Sequence, residues 1–432
     1  MLIDVADAHR MAGVSMPLTH APAGRTWRTH AGVLALGTFA VGTDAFVIAG
    51  LLPEISGSLG VSLGAAGQLV SVFSLAYALL SPVLAALTSR WSRRTVLITA
   101  LAVFAAGNVV TALAPAYPLV LAARVIAAAG AALFTPNAGA TAATLAGPER
   151  RGRAIAIVTV GLTGSLALGA PLGTALGDAL GWRAALWFVT ALALLVAPVI
   201  AVRLPDVPAA GPAPLRRRLA PLTDRRTAGV LAGTLIAFTG IYLPYTYISA
   251  LFAPATGGDG GKVAVLLLVF GLAGTAGNLT AGRLADRRGP ATVVIGATLL
   301  LTAVYALMAL GRSSYPAAAA LTAVGGVASW SVTAPQQQRV MALAGPGGAP
   351  LAVSLNAAVM YLAISLSSVL GAGILGTAGA VWIAWAGAAF VLAAAAVTAV
   401  TARTERTGPA PQPRKSAAPV PDRPPAARRE TS

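Results

Sequence analysis

The chain has 432 residues, of which 57% are hydrophobic and 10% charged, with a mean hydropathy of +0.78. A soluble domain carries about 25% charged residues, so a soluble fold of this composition would expose large apolar patches and aggregate; lipid is the solvent that fits. The absence of cysteine excludes disulfides, thiolate nucleophiles and cysteine metal sites, and no basic-aromatic motif turns the net charge of +17 into a nucleic-acid interface.

The N-terminal 30 residues are polar, hold Arg10, Arg25 and Arg28, and lack the apolar core of a signal peptide. They read as a cytoplasmic tail. His9, His20 and His30 all precede the first apolar segment, so no histidine is available for a metal cluster or a Ser-His-Asp arrangement within the membrane. No cofactor is expected. A helical span needs about 20 apolar residues. Six such segments run over 31–53, 64–88, 95–114, 118–143, 154–177 and 184–203. Residues 204–227, rich in proline and arginine, read as a cytoplasmic linker. Six more segments run over 228–252, 262–283, 291–311, 315–338, 351–376 and 379–402. Residues 403–432 form a basic, proline-rich tail that cannot bury an apolar core and is expected to be disordered. The expected fold is an all-α membrane protein of two six-helix bundles, 31–203 and 228–402, with both termini cytoplasmic.

Orientation follows from the basic residues, which collect in cytoplasmic loops. With the N-terminus inside, three of the 30 Lys and Arg (Arg183, Lys262 and Arg312) fall in outer loops and Arg124 alone falls inside a span, leaving 26 on the cytoplasmic side. Shifting the count by one helix destroys this split.

One charged run occurs once per half. GRLADRRG, Gly282 to Gly289, sits between two apolar segments of the second half, and ALTSRWSRR, Ala86 to Arg94, is its degraded echo in the first. Aligning Ser89 with Asp286 places Arg90 on Arg287 and Ser92 on Gly289. A charged turn repeated in this way marks a duplicated membrane protein, the construction of many secondary transporters.

These residues resemble the major facilitator superfamily, in particular its twelve-helix drug/proton antiporter branch, over about 30–403. Four motifs carry the likeness. GRLADRRG is similar to the family's loop motif, from which the first-half copy departs at Ala85, Ser89 and Ser92. AARVIAAAG at 122–130 is similar to the fourth-helix motif with its intramembrane arginine, here Arg124, although Ala127 and Ala128 replace its Gln and Gly. LGAPLG at 168–173, with Gly169, Pro171 and Gly173, resembles the fifth-helix motif that marks antiporters. GTDAFVIAGLLPEI at 42–55, together with YTYI at 245–248, resembles exporters of the chloramphenicol-resistance and sugar-efflux type. The resemblance implies proton-coupled efflux of a small amphipathic drug or antibiotic across the bacterial cytoplasmic membrane, by a protein that is not an enzyme and functions as a monomer. Its partners would be the substrate, protons and the bilayer. Export of a sugar or an endogenous metabolite by the same fold is the alternative.

Asp44 is the sharpest candidate for chemistry, because a carboxylate inside a span is costly and is a functional hypothesis by default. It is the only one of thirteen acids placed mid-helix; Glu54 and Asp178 fall at outer helix ends. The resembled family carries its acid in this stretch, sometimes one position later, where this chain has Ala45. Burial favours a neutral carboxyl group, so Asp44 is expected to load a proton from outside and release it inside; an acid merely bonded to helix backbone is the other reading. Arg124 lies at similar depth and is expected either to contact Asp44 or the backbone of helix one, or to snorkel to the outer headgroups.

Asp286, with Arg283, Arg287 and Arg288, reads as a gating turn that makes and breaks pairs between conformations, or as a static one. Arg90, Arg93 and Arg94 serve mainly topology in the first half. Gly169, Gly173 and Gly177 share one face of helix five and permit close approach of a neighbour, with Pro171 bending the helix among them; this is either a flexing interface or ordinary packing. Polar and aromatic positions that could line a central cavity are Tyr77, Asn137, Tyr242, Tyr245, Asn278, Trp330, Gln337 and Asn356, each of which could instead be interhelical glue.

Overall fold

A computed structural model describes residues 26–208, 224–344 and 349–406. The expected tails and linker therefore lie largely outside the described residues: 1–25 of the first tail, 209–223 of the linker and 407–432 of the last tail.

Among the described residues, twelve helices are long and apolar enough to cross a membrane. In the first half these are α1 Thr26–Leu59, α2 Leu63–Leu87, α3 Arg93–Leu113, α4 Tyr117–Ala146, α5 Arg151–Leu180 and α6 Trp182–Arg203. In the second half they are α7 Arg225–Thr246, α8 Gly260–Arg288, α9 Pro290–Gly311, α10 Tyr315–Leu343, α11 Leu351–Thr377 and α12 Val381–Arg403. No strand occurs among the described residues. The reason is the solvent: lipid satisfies no backbone group, so each segment closes its own hydrogen bonds as a helix.

Helix starts are written in polar side chains. Ser62, Ser92, Asp224 and Asp259 each accept a hydrogen bond from the backbone three residues on, capping α2, α3, α7 and α8. At Asp224 the bonds from Thr227 hold the carboxyl below its usual range. Two helix pairs are joined by a single residue, Gly181 between α5 and α6 and Gly289 between α8 and α9. Their φ angles of 87° and 86° lie in a region closed to most side chains. Twelve spans place the first and last helix ends on one face, here the terminal face; the opposite end is the far face.

Several helices outrun the hydropathy pattern, and three of them, α1, α8 and α10, carry charged residues with them. α1 starts before residue 31 and continues to Leu59, so His30 and Glu54 are helical. α8 continues through the charged run to Arg288, so Gly282, Asp286 and Arg287 occupy its last turns and only Gly289 forms the expected turn. α10 reaches Leu343 and so contains Arg339, which is 2% exposed; Arg124 is therefore not the only basic residue within a span. Hydropathy reports where lipid ends, whereas a helix stops where its backbone is capped or turned.

α5 and α10 are not continuous. α5 contains a π turn at Ser165–Gly169, and α10 breaks after Trp330 before resuming at Thr333. The irregularity expected from Pro171 thus falls in the turn just before it.

The two halves meet along helix pairs. α5 packs on α8 at mid-span, with Gly271 against the backbone of Leu166 and Ala167, while at the far ends α2 packs on α11 with Gly64 against Ala372 and α8 packs on α5 with Gly260 against Asp178. These contacts close the far face.

Candidate functional site: a central cavity beside a buried ion pair

Between the halves lies a narrow cavity of about 70 Å³. Ala45, Phe46 and Ala49 of α1, Val70 and Ser74 of α2, and Leu162 and Leu166 of α5 form its first-half wall. Phe238, Ile241, Tyr242, Tyr245 and Thr246 of α7, Phe270 of α8, Ser329, Trp330 and Thr333 of α10, and Met360, Tyr361 and Ile364 of α11 complete the wall from the second half. No lining residue carries a formal charge.

Aromatic rings define its shape. Phe46 meets Tyr245 edge-on at 6.2 Å and Trp330 at 6.4 Å between centroids. Tyr245 also lies 5.1 Å from Phe270 and 5.8 Å from Tyr242. Its hydroxyl donates to the backbone carbonyl of Phe46 at 3.3 Å, a bond across the two halves. Such walls offer faces and edges to a flat apolar solute, with phenol and hydroxyl groups as polar anchors.

Asp44 and Arg124 lie behind the α1 wall. Arg124 Nη1 donates to Asp44 Oδ1 at 2.7 Å, and the side chains are 1% and 0% exposed. Arg124 pairs inward rather than snorkelling. Its guanidinium carbon also sits 4.4 Å from the centre of the Phe73 ring, a cation–π contact that adds to the pair. Asp44 Oδ2 makes no hydrogen bond and is closed to solvent, as is Arg124 Nε.

α1 is held at this depth by α5. Gly169 leaves room for Thr43, Gly173 for Val47 and Gly177 for Leu51, three positions spaced four apart on α1. In return Gly42 accommodates Ser165 and Gly50 accommodates Thr174. The glycine stripe thus seats α1 against α5 on both sides of Asp44, because a Cβ at any of these positions would collide.

The remaining expected residues divide. Tyr242, Tyr245 and Trp330 line the cavity. Tyr77 stands one layer behind it, stacked on Tyr361 with 3.6 Å between centroids. Asn137 bonds to Arg93 and to Leu133 O, joining α4 to the start of α3. Asn356 accepts from Thr234 at 2.9 Å and ties α11 to α7. Asn278 and Gln337 are half-buried outside the cavity lining. Of the charged turns, Asp286 accepts from Gln338 at 3.3 Å, within its own half. Arg94 donates to Ala201 O and Arg93 reaches Asn137, so both pin α3 to neighbouring helices, while Arg90 lies in the turn before it.

Sequence reasoning missed Phe46, Phe238, Phe270 and Tyr361 in the lining. Apolar aromatics give no signal of their own within apolar spans; Phe46 alone stood beside a flagged residue. It also missed Arg339, which donates to Gln336 Oε1 at 3.0 Å and to Thr401 at 2.6 Å, joining α10 to α12.

The sequence profile of the Major Facilitator Superfamily matches residues 34–257 and 230–430. The uncharacterized MFS-type transporter YbcL of Bacillus subtilis (strain 168) is 37% identical over 352 residues, covering 81% of this chain and 88% of that protein. A chloramphenicol resistance protein of Streptomyces lividans is 36% identical over 274 residues, covering 62% of this chain and 70% of its own. Among solved structures, a bacterial homolog of the human lysosomal transporter Spinster, inward-facing and unoccupied, superposes with a TM-score of 0.69 at 17% identity, covering 88% of this chain and 98% of that one.

Proposed function

This chain belongs to the Major Facilitator Superfamily, and we propose that it exports a small, neutral, amphipathic compound across the bacterial cytoplasmic membrane, driven by inward proton flow. Membership makes it a multi-pass membrane transporter rather than an enzyme. The observation that carries the finer reading is the pairing of an uncharged aromatic cavity with a buried Asp44–Arg124 ion pair on the helix that forms one cavity wall. The first suits a ring-bearing solute with few polar groups; the second supplies a titratable group kept from bulk water.

Two further facts support it. The similarity to a chloramphenicol resistance protein places a drug-resistance protein among the relatives. The crowding of arginines at the terminal face supports a cytoplasmic assignment of that face, with the far face, where the halves touch, as the outer one. On this reading Asp44 takes a proton while open to the outside, its pair with Arg124 weakens, and the halves rock around the cavity. Return of the proton inside restores the pair. A proton moving through 100 mV supplies about 2.3 kcal/mol, roughly a 50-fold concentration ratio. Gly282, Asp286, Arg287 and Gly289 mark the terminal face where the halves would part and rejoin.

The apolar walls weigh against the sugar-export alternative, since a sugar needs many directed hydrogen bonds. The test is tolerance of cells expressing the protein to a panel of antibiotics including chloramphenicol, with and without a protonophore. Raised tolerance that the protonophore abolishes supports the reading. Unchanged tolerance, with accumulation of labelled sugar falling instead, replaces it with the alternative.

A further inference from the structure

The segment YTYI contributes Tyr245 to the cavity, yet its second tyrosine does something else. Tyr247 is fully buried and, among the described residues, is exceeded in size at that depth only by Arg124 and Arg339. It does not line the cavity. It stands where α7 ends: its φ of −111° and ψ of 30° leave the helical region, and a four-residue helix, Ile248–Leu251, follows. Pro244, one turn earlier, has no backbone donor. The end of α7 is therefore weakly tied to its own axis.

The ring of Tyr247 is inserted between Gly67 of α2 and Gly371 of α11, where a Cβ on either glycine would strike it. Its hydroxyl donates to Ser368 O at 2.6 Å. Ser368 in turn donates through Oγ to Gly67 O at 2.6 Å, and Ser71 donates to Ser365 O at 3.3 Å, both across the two halves. Gly64, Gly67 and Ser71 thus face Ala372, Ser368 and Ser365 along one antiparallel seam. The spacing of three and four residues keeps each set on one helix face. A serine hydroxyl released from a neighbouring helix finds the carbonyl one turn back in its own, so this seam can part without leaving a buried donor unpaired.

Tyr245 and Tyr247 therefore tie one loosened helix end to the first half at two places: Phe46 in the cavity and Gly67 in the seam. We propose that Tyr247 is a positioning residue that transmits cavity occupancy to closure of the far face. A solute that displaces Tyr245 from Phe46 turns the end of α7, shifts Tyr247 between Gly67 and Gly371, and loosens the α2–α11 seam. The inference rests on the transport reading for the meaning of the cavity, and its test needs no substrate.

The chain has no cysteine, so two introduced ones report without background. Gly57 at the far end of α1 and Gly376 at the far end of α11 are exposed and open around the Cα. Spin labels on Gly57→Cys and Gly376→Cys in the full-length protein in lipid nanodiscs report far-face separation as a distance distribution. Tyr247→Ala is expected to lower the closed-to-open ratio about tenfold. Tyr247→Phe keeps the ring, guards against misfolding of the alanine variant, and is expected to lower the ratio several-fold through loss of the bond to Ser368. Tyr245→Ala alone is expected to lower it several-fold, and Tyr245→Ala with Tyr247→Ala no further than Tyr247→Ala alone, since one lever is cut in both. Ser71→Ala, which removes a seam bond outside the lever, is expected to multiply with Tyr245→Ala. An unchanged distribution in both Tyr247 variants, or multiplying effects of Tyr245→Ala and Tyr247→Ala, overturns the proposal. Absence of drug efflux with these shifts intact overturns only the transport reading.

Discussion

The carboxylate of Asp44 and the guanidinium of Arg124 meet at 2.7 Å across α1 and α4, in an interior that neither side chain leaves. One oxygen and one nitrogen of the pair, Asp44 Oδ2 and Arg124 Nε, remain without hydrogen-bond partners. Leaving a buried polar atom without a partner costs about 1–3 kcal/mol. In the proposed coupling, Asp44 Oδ2 is the atom that takes the proton.

Asp44→Asn keeps the shape and an acceptor for Arg124 but cannot titrate. Drug tolerance in expressing cells is expected to fall to the vector-control level, while the amount of protein in the membrane stays near wild type. Undiminished proton-driven efflux in vesicles would remove Asp44 from the coupling step.

Arg124→Ala leaves the Asp44 carboxylate buried with no counter-charge. Breaking a buried pair from one side costs about 3–5 kcal/mol, so thermal unfolding in detergent should show a large loss. Asp44→Ala combined with Arg124→Ala is expected to regain part of it, because no unpaired charge remains. A double variant as unstable as Arg124→Ala alone would show that packing against Phe73, rather than charge, sets the cost.

Gly173→Leu tests the α1–α5 seat. Its side chain meets Val47, for which the glycine leaves room, and overpacking of a tight interface costs about 1–3 kcal/mol. The expected outcome is a protein that reaches the membrane, unfolds at lower temperature and transports poorly, measured by melting and by efflux rate.

Ala49→Asp places a carboxylate in a cavity lined by uncharged residues. Tolerance to a neutral aromatic antibiotic is expected to fall at least tenfold, and tolerance to a lipophilic cation such as tetraphenylphosphonium to rise. Equal tolerance to both in the variant and the wild type would place the substrate elsewhere.

Asp224 caps α7 and its carboxyl is held low, first by the backbone bond from Thr227. Stability from a lowered carboxyl pKa is complete above the unfolded value and is lost as pH falls through the folded one. Asp224→Ala should therefore cost about 1 kcal/mol near neutrality and progressively less in acid. A constant difference across that range in pH-dependent melting would assign the effect to something other than the cap.

Much of the fold was legible because lipid imposes a simple rule. A run of apolar residues long enough to cross must be a helix, and most Arg and Lys collect toward one face, so α1 to α12 appeared in the right number and order. Asp44 and Arg124 were visible for the converse reason: a charge within such a run stands out and needs a partner. Phe46, Phe270 and Tyr361 were invisible because an aromatic residue in an apolar span looks the same whether it faces lipid, a neighbour or a cavity. Asn137 and Asn356 stood out as polar yet bond to neighbouring helices. Arg339 was missed because α10 outlasts its apolar stretch by a further turn.

The sequence alone determined the solvent, the twelve helices, the duplicated plan and the two buried charges, since each is a property of one segment read against lipid. Only the tertiary structure decided that Asp44 and Arg124 pair, that glycines seat α1 on α5, and which aromatics enclose the cavity. Those are relations between segments up to hundreds of residues apart, and apolar helices are alike enough in composition that rotation about their axes is set by packing alone.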